Sequence, residues 1–383
     1  MRFWAHMEWR ANKCCCSRYS SASSLLSPRY PEGFASYTQC LQKVTEASLA
    51  CMYPSLTAEI NASRGSVLGI MDFRYAPYAL GDTCTWLTKL QIMASRHSLS
   101  NIEIVLITLP YAPSSGLQRH ITPYNYAQVM DGLMPAFLCC RNLRSVQIFE
   151  HNGKALHRLL GAMLARTPSW PSLLSHMRGR LDFISHEQIN SFFSEKGWIP
   201  KLSPPSGFKA EAERFKQAFC DGRTPIVVNI RQGNLSNNPA AVNRDSSADV
   251  WFRFFKRAET GWPKACFVLV GGFSEWERRF ARCGNVVIPR LCGLGLGHEL
   301  TLLLEGTPFI GTSSGFSAAA TFSDTPYVIT NVEHRAARFF GISVGSERFP
   351  FATSRQWLSW DTETDALITE LFDRLWRSIN GEG

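Results

Sequence analysis

The chain lacks most features that would mark it as a membrane, secreted or metal-organised protein. No apolar run reaches the roughly 20 residues a helix needs to cross a bilayer, so the body is expected to be soluble. The 12 cysteines follow no regular spacing and include adjacent pairs such as Cys139-Cys140, so they form no disulfide framework. Neither C-x-x-C nor a Cys/His set with zinc spacing occurs. Residues 1–64 are poor in acids and lack the apolar stretch of a secretory signal. The net charge is +9, yet Lys and Arg are scattered, with no basic run and no RNA-binding signature. No repeat at a solenoid period is found. These absences argue against a nucleic-acid partner and favour a reducing, cytoplasmic setting. A phosphorylated small ligand, or a membrane surface bound peripherally, accounts for the positive balance.

What is present is a large, well-stocked globular chain. With 383 residues, 45% of them hydrophobic and 12% aromatic, two domains are expected. Residues 1–64 read as an N-terminal extension. They are compatible with a targeting segment, a lipid-modified tail through Cys14-Cys15-Cys16, or a disordered run. Residues 65–200 read as a first Rossmann-like domain. Val67 to Asp72 forms a buried strand, Asp82 opens a helix carrying Trp86, Leu87, Leu90 and Ile92, and Ile102 to Ile107 forms the next strand. That order implies a right-handed parallel crossover. Residues 145–149 read as another strand and 152–198 as mostly helix, with Asp182-Phe183-Ile184 extended. Asp82 is either a helix cap or a carboxylate facing an inter-domain cleft.

A Pro/Ser/Gly stretch opens the linker and helix of residues 201–224. Residues 225–383 read as a second doubly wound domain. Its first strand, Pro225 to Ile230, is nearly all apolar, as buried parallel strands are, and delivers Arg231, Gly233 and Asn234 into a loop, with Arg244 further on. A later strand ends in Gly271-Gly272. Residues 299–331 then read as helix, strand, Gly/Ser turn, helix, strand. The turn Thr312-Ser313-Ser314-Gly315 presents hydroxyls and free backbone N–H groups at a helix start, which suits an anion or simply caps the helix. The final helix, over 363–379, carries an apolar stripe that must dock on a neighbour.

Three stretches in order resemble the GT-B glycosyltransferases, specifically the heptosyltransferase-like group: YALGDTCTWLTKLQIMA, VLVGGFSEWERRFA and ELTLLLEGTPFIGTSSGFSAAATFSDTPYVI. VVNIRQGN is also similar to a strand–Arg–Gly–Asn feature of fucosyltransferases. The resemblance runs over residues 66–332. Ser313 stands where that group commonly has an acid and Ala318 near a usual His, so the donor is left open.

The resemblance implies an α/β fold of two Rossmann-like domains facing across a cleft, with the final helix crossing back toward the N-terminal half. It implies a glycosyltransferase of hexosyl-, heptosyl- or fucosyltransferase-like type, using a nucleotide-diphosphate sugar as co-substrate and neither cofactor nor metal. The acceptor is a glycan, lipid or protein hydroxyl, and Asp82 is the base that takes its proton. Departure of the diphosphate needs cations and N–H donors. Arg231 is the first choice and Arg244 the second, with Gly233, Asn234, Gly271, Gly272, Gly295, Thr312, Ser313, Ser314 and Gly315 around them. Glu299 either holds a ribose hydroxyl or starts a helix, and His298 is either a ligand or a cap. Two other readings are a non-catalytic nucleotide- or sugar-binding protein of this fold and a nicotinamide-dependent oxidoreductase. The second rests on Gly293, Gly295 and Gly297, but the third glycine of G-x-G-x-x-G would fall on His298.

Overall fold

The computed structural model describes residues 65–108, 121–122, 124–149, 152–177, 182–232, 245–272 and 277–381. The N-terminal extension, Gly233, Asn234 and Arg244 lie outside the described residues. Residues Gly65–Ala155 and Pro168–Gly383 form one compact unit. Leu156–Thr167 belongs to a second unit, of which the described part begins with most of one helix.

The N-terminal half runs β1 (Ser66–Asp72), α1 (Leu80–Arg96), β2 (Asn101–Ile107), α2 (Tyr126–Phe137), β3 (Leu143–Phe149), α3 (Asn152–Leu164), β4 (Ser169–Trp170), α4 (Leu173–Met177) and α5 (Glu187–Lys196). Its strands are all parallel, in the order β3-β2-β1-β4. After α6 (Lys209–Phe219) come β5 (Thr224–Asn229), α7 (Ala248–Gly261), β6 (Ala265–Leu269), β7 (Val286–Val287), α8 (Leu296–Leu304), β8 (Phe309–Thr312), α9 (Gly315–Thr321), β9 (Tyr327–Thr330), α10 (Ala336–Phe340), β10 (Gln356–Leu358) and α11 (Asp365–Asn380). These strands form a second parallel sheet in the order β10-β9-β8-β5-β6-β7. The fold is therefore α/β with two doubly wound sheets, as the apolar strand runs imply. β1 is buried along all 7 residues, because helices cover both faces of such a sheet.

One of the two core clusters spans both sheets. A continuous cluster of buried apolar side chains includes Trp86, Leu90 and Phe137 from the first half and Phe316, Ala319 and Phe322 from the second. α5 adds to it: the His186 backbone N–H donates to the Phe339 carbonyl at 2.7 Å, and its ring lies among Phe322, Phe340, Phe349 and Phe351. Burial pushes the His186 imidazole down to about 3, so it sits there neutral.

Three expectations are corrected. The final helix does not cross back. The α11 residues Ile368, Leu371, Phe372 and Leu375 pack with Phe254, Phe267 and Val228 in the core of the C-terminal sheet, each burial stabilising by about 1.5–3 kcal/mol. Asp182-Phe183-Ile184 is not extended. The Asp182 carboxylate accepts the Ile184 and Ser185 N–H groups at 3.2 and 2.9 Å, a side-chain turn that competes with strand geometry. The fourth strand is instead β4, inside the stretch read as helix.

Candidate functional site

Each sheet has one place where the strand order reverses, and open α/β sheets bind ligands outside the strand C-termini there. In the C-terminal sheet this is the crevice between β5 and β8, since β6 and β7 follow on one side and β9 and β10 on the other. Asn229 lies opposite Gly311 in register. A Cβ on Gly311 would come within 2.4 Å of the Asn229 carbonyl oxygen, so only glycine allows the strands this approach. Arg231 leaves the end of β5, and Thr312 and Ser313 leave β8.

Two contacts tie these ends together. The Ser246 N–H donates to the Arg231 carbonyl at 2.8 Å, and the Ser246 and Thr312 hydroxyls are hydrogen-bonded. The sequence-derived cation and hydroxyl turn are thus brought to one crevice. Arg231 Nε is 3.7 Å from Asp245 Oδ1. That is an ion pair too long to be a hydrogen bond, and Nε is buried without a hydrogen-bond partner.

Beneath this edge lies a carboxylate the sequence did not single out. Glu363, only 6% exposed, accepts from the Thr330 hydroxyl at 2.5 Å, the Thr312 hydroxyl at 3.3 Å and the Trp251 indole N–H at 3.0 Å. It fixes the Thr312 hydroxyl, and through it Ser246. Glu363 precedes a helix, and three separate elements supply its donors, so no local motif announces it.

The Ser314 hydroxyl accepts the Ser317 N–H and the Ser317 hydroxyl accepts the Ser314 N–H, a reciprocal cap on α9. The Ser313 N–H is held by Thr330. Ser314 therefore does what an ordinary helix cap does. The first turn of α9 also meets the N-terminal half. A Cβ on Gly315 would lie 2.7 Å from Leu80 Cβ, and one on Gly81 would lie 3.6 Å from Gly315 Cα. Asp82 is the next residue, partly buried in the first turn of α1. The cap position of α1 is Ala79, not Asp82. Two helix starts with positive ends thus touch, with Asp82 beside the contact. The neighbouring Cys84 thiol is pushed up to about 12 by burial, with the Asp82 charge adding to it.

The remaining residues expected on the donor side have structural partners. Glu299 is fully buried; its carboxylate accepts from Arg290 at 3.0 and 2.8 Å and from the Gly271 N–H at 3.2 Å. It thereby ties α8 to the end of β6. Gly271 has φ +128°, a conformation that favours glycine, and Gly272 follows it at the same strand end. His298 Nδ1 accepts the Gly295 N–H at 3.1 Å, and Nε2 pairs with Glu211, so His298 closes the start of α8. A Cβ on Gly297 would meet the Phe208 ring at 2.5 Å, and Gly293 adopts φ +77° after a short 3-10 turn. Packing and turn geometry account for these two glycines without a dinucleotide. Among the described residues no group of three potential metal ligands occurs, and no helix is long and apolar enough to cross a membrane. A cavity of about 230 Å³ opens at the opposite edge of the N-terminal sheet, between Gln91, Asn142 and Lys201, away from both crevices.

No protein-family model matches the chain, and no curated protein sequence matches it. Among solved structures it is similar to the E. coli ADP-heptose lipopolysaccharide heptosyltransferase II, with TM-score 0.51 and 10% identity, covering 82% of this chain and 99% of that one. It is also similar to the glycosyl transferase family 9 protein from Veillonella parvula, with TM-score 0.44 and 10% identity over 82% and 89% of the two chains. The E. coli heptosyltransferase WaaC with ADP gives 0.44 and 11% over 81% and 99%. At such identity the likeness speaks to fold, and the fold is the GT-B arrangement of two Rossmann-like sheets.

Proposed function

We propose that this chain is a glycosyltransferase that moves a sugar from a nucleotide-diphosphate donor to an acceptor hydroxyl without a metal. The observation that carries this reading is the contact of the first turns of α1 and α9 at Gly81 and Gly315. It sets the first turn of α1, which carries Asp82, beside the hydroxyl turn of the other half. Glycosyl transfer needs a base for the incoming hydroxyl and cationic and N–H donors for the departing diphosphate. Asp82 is the base in this reading. The diphosphate lies at the β5/β8 crevice, against Arg231 and the Thr312–Gly315 turn. Gly233, Asn234 and Arg244, which follow β5 in the chain, complete the donor side. Glu299, Gly271, Gly295 and His298 shape that edge rather than contact donor directly. The E. coli heptosyltransferase II among the similar structures is named for ADP-heptose, which is consistent with this donor class. The setting proposed is the cytoplasm, with peripheral attachment to a membrane surface.

The test is a thermal-shift panel of UDP-, GDP-, ADP-, CMP- and dTDP-sugars together with NAD(P). A ligand bound by the folded chain raises its stability with concentration over dissociation constant. Stabilisation by one nucleotide sugar, followed by transfer to an acceptor, is expected. Stabilisation by NAD(P) alone would overturn the proposal, and donor binding with no transfer to any hydroxyl acceptor would leave a binding protein of the same fold.

A further inference from the structure

The N-terminal sheet has its own reversal point, and the site described so far does not use it. β2 and β3 lie on one side of β1 and β4 on the other, so the crevice outside the C-terminal ends of β1 and β4 is where ligand binding is expected. β1 ends at Asp72, and β4 leads through Pro171 and Ser172 into α4, which carries His176. The two side chains meet there: His176 Nε2 is 3.5 Å from Asp72 Oδ2. Asp72 is fully buried and takes both Arg74 Nε, at 2.9 Å, and the Arg74 backbone N–H, at 3.0 Å. With the carboxylate on its Nε2 side, the imidazole keeps the proton at Nε2 and leaves Nδ1 bare. Burial also lowers the His176 pKa. His176 is 6% exposed, and its Nδ1 is buried with no hydrogen-bond partner. A buried polar atom left unpaired is destabilising and uncommon in folded proteins. Beside it Tyr75, 45% exposed, packs edge-on to the imidazole with centroids 6.4 Å apart.

We infer that this crevice is a carbohydrate subsite, in which a sugar hydroxyl donates to His176 Nδ1 while the sugar ring packs on Tyr75. The electrostatics select the class. Among the described residues here the Arg74 charge is already matched by Asp72. A bare neutral nitrogen next to an exposed aromatic ring suits a neutral polyol with apolar C–H faces. This rests on the glycosyltransferase reading only in making that sugar the acceptor; binding itself needs no donor.

The experiment uses the full chain labelled with 15N-histidine, the His176 signals being assigned by their loss in His176→Gln. Free glucose, galactose, mannose, N-acetylglucosamine and fucose are titrated in separately. Before sugar, Nδ1 is expected at the shift of a deprotonated nitrogen, and at least one sugar should move it upfield saturably. Tyr75→Ala, an exposed position, should weaken that response by about tenfold, the size of a lost aromatic contact. A protonated Nδ1, no response to any of the sugars, or a response indifferent to Tyr75→Ala overturns the subsite. The nucleotide panel run on the same sample separates the two readings. Donor binding with a silent His176 removes only the subsite, and a His176 response without nucleotide binding removes only the donor assignment.

Discussion

Gly315 lies so close to α1 that a methyl group on it would sit 2.7 Å from Leu80 Cβ and 3.2 Å from the Gly81 nitrogen. The reverse is not true: a Cβ on Gly81 meets Gly315 Cα and Ala318 Cβ only at 3.6 and 3.7 Å, ordinary contact distances. The junction of the two halves is therefore asymmetric, and that asymmetry can be measured. Gly315→Ala must push α9 and α1 apart, since backbone cannot rotate away, and should destabilise by about 1–3 kcal/mol. Gly81→Ala makes only ordinary contacts within a helix and should be neutral or stabilise by about 0.4–1 kcal/mol. Thermal unfolding of both variants checks this; equal losses would mean the first turns are not packed as described.

Asp82→Asn keeps the size of the side chain and removes the proposed base. Turnover should fall by about 10²–10⁴-fold, the usual contribution of a positioned general base, with donor affinity retained. Near-normal turnover would leave Asp82 as a first-turn charge that only complements the α1 dipole.

Arg231→Ala should weaken nucleotide-sugar binding by roughly ten- to a hundredfold, from a charge-assisted hydrogen bond of about 1.5–3 kcal/mol. Arg231→Lys restores the charge but not the forked geometry and should recover only part of it. Equilibrium titration of the donor reads both, and unchanged affinity in folded Arg231→Ala would make the Asp245 pair purely structural.

Stability should fall on acidification. His186 is held at about 3 by burial, with Lys89 adding and Asp182 opposing, while the unfolded chain titrates near 6.5. The unfolded state therefore binds more protons between those values. Stability is lost as pH drops from about 6.5 toward about 3, on the order of 2 kcal/mol by pH 5. His176, also lowered by burial, adds to the same slope. In a pH series of melting temperatures, His186→Leu should be flatter than the parent; parallel curves would show that His186 does not carry the loss.

Much of this was legible beforehand because buried parallel strands and amphipathic helices write their periods locally. α6 falls within the linker and helix read at 201–224, and β1, β2 and β5 lie within a residue or so of their apolar runs. β4 and β10, of 2 and 3 residues, were not legible, because so few residues carry no period and pairing alone defines them. The stripe on the last helix was readable, but its partner was not. Period fixes which face is apolar, and only the fold decides which neighbour receives it.

The same division holds for the site. The chain by itself determined that Arg231 ends a buried strand and that Ser313, Ser314 and Gly315 open a helix, because strand and helix boundaries are local matters of composition and capping. Tertiary structure alone decided that these ends share the β5/β8 crevice, that Glu299 is engaged by Arg290, and that Asp82 sits beside Gly315. It also made Glu363 and the Asp72–His176 pair visible at all. Those groups are 33 to 112 residues from their partners in sequence or separated by whole strands and helices. What brings them together is strand order, which hydrophobic burial of each sheet and the handedness of its crossovers impose on the chain as a whole.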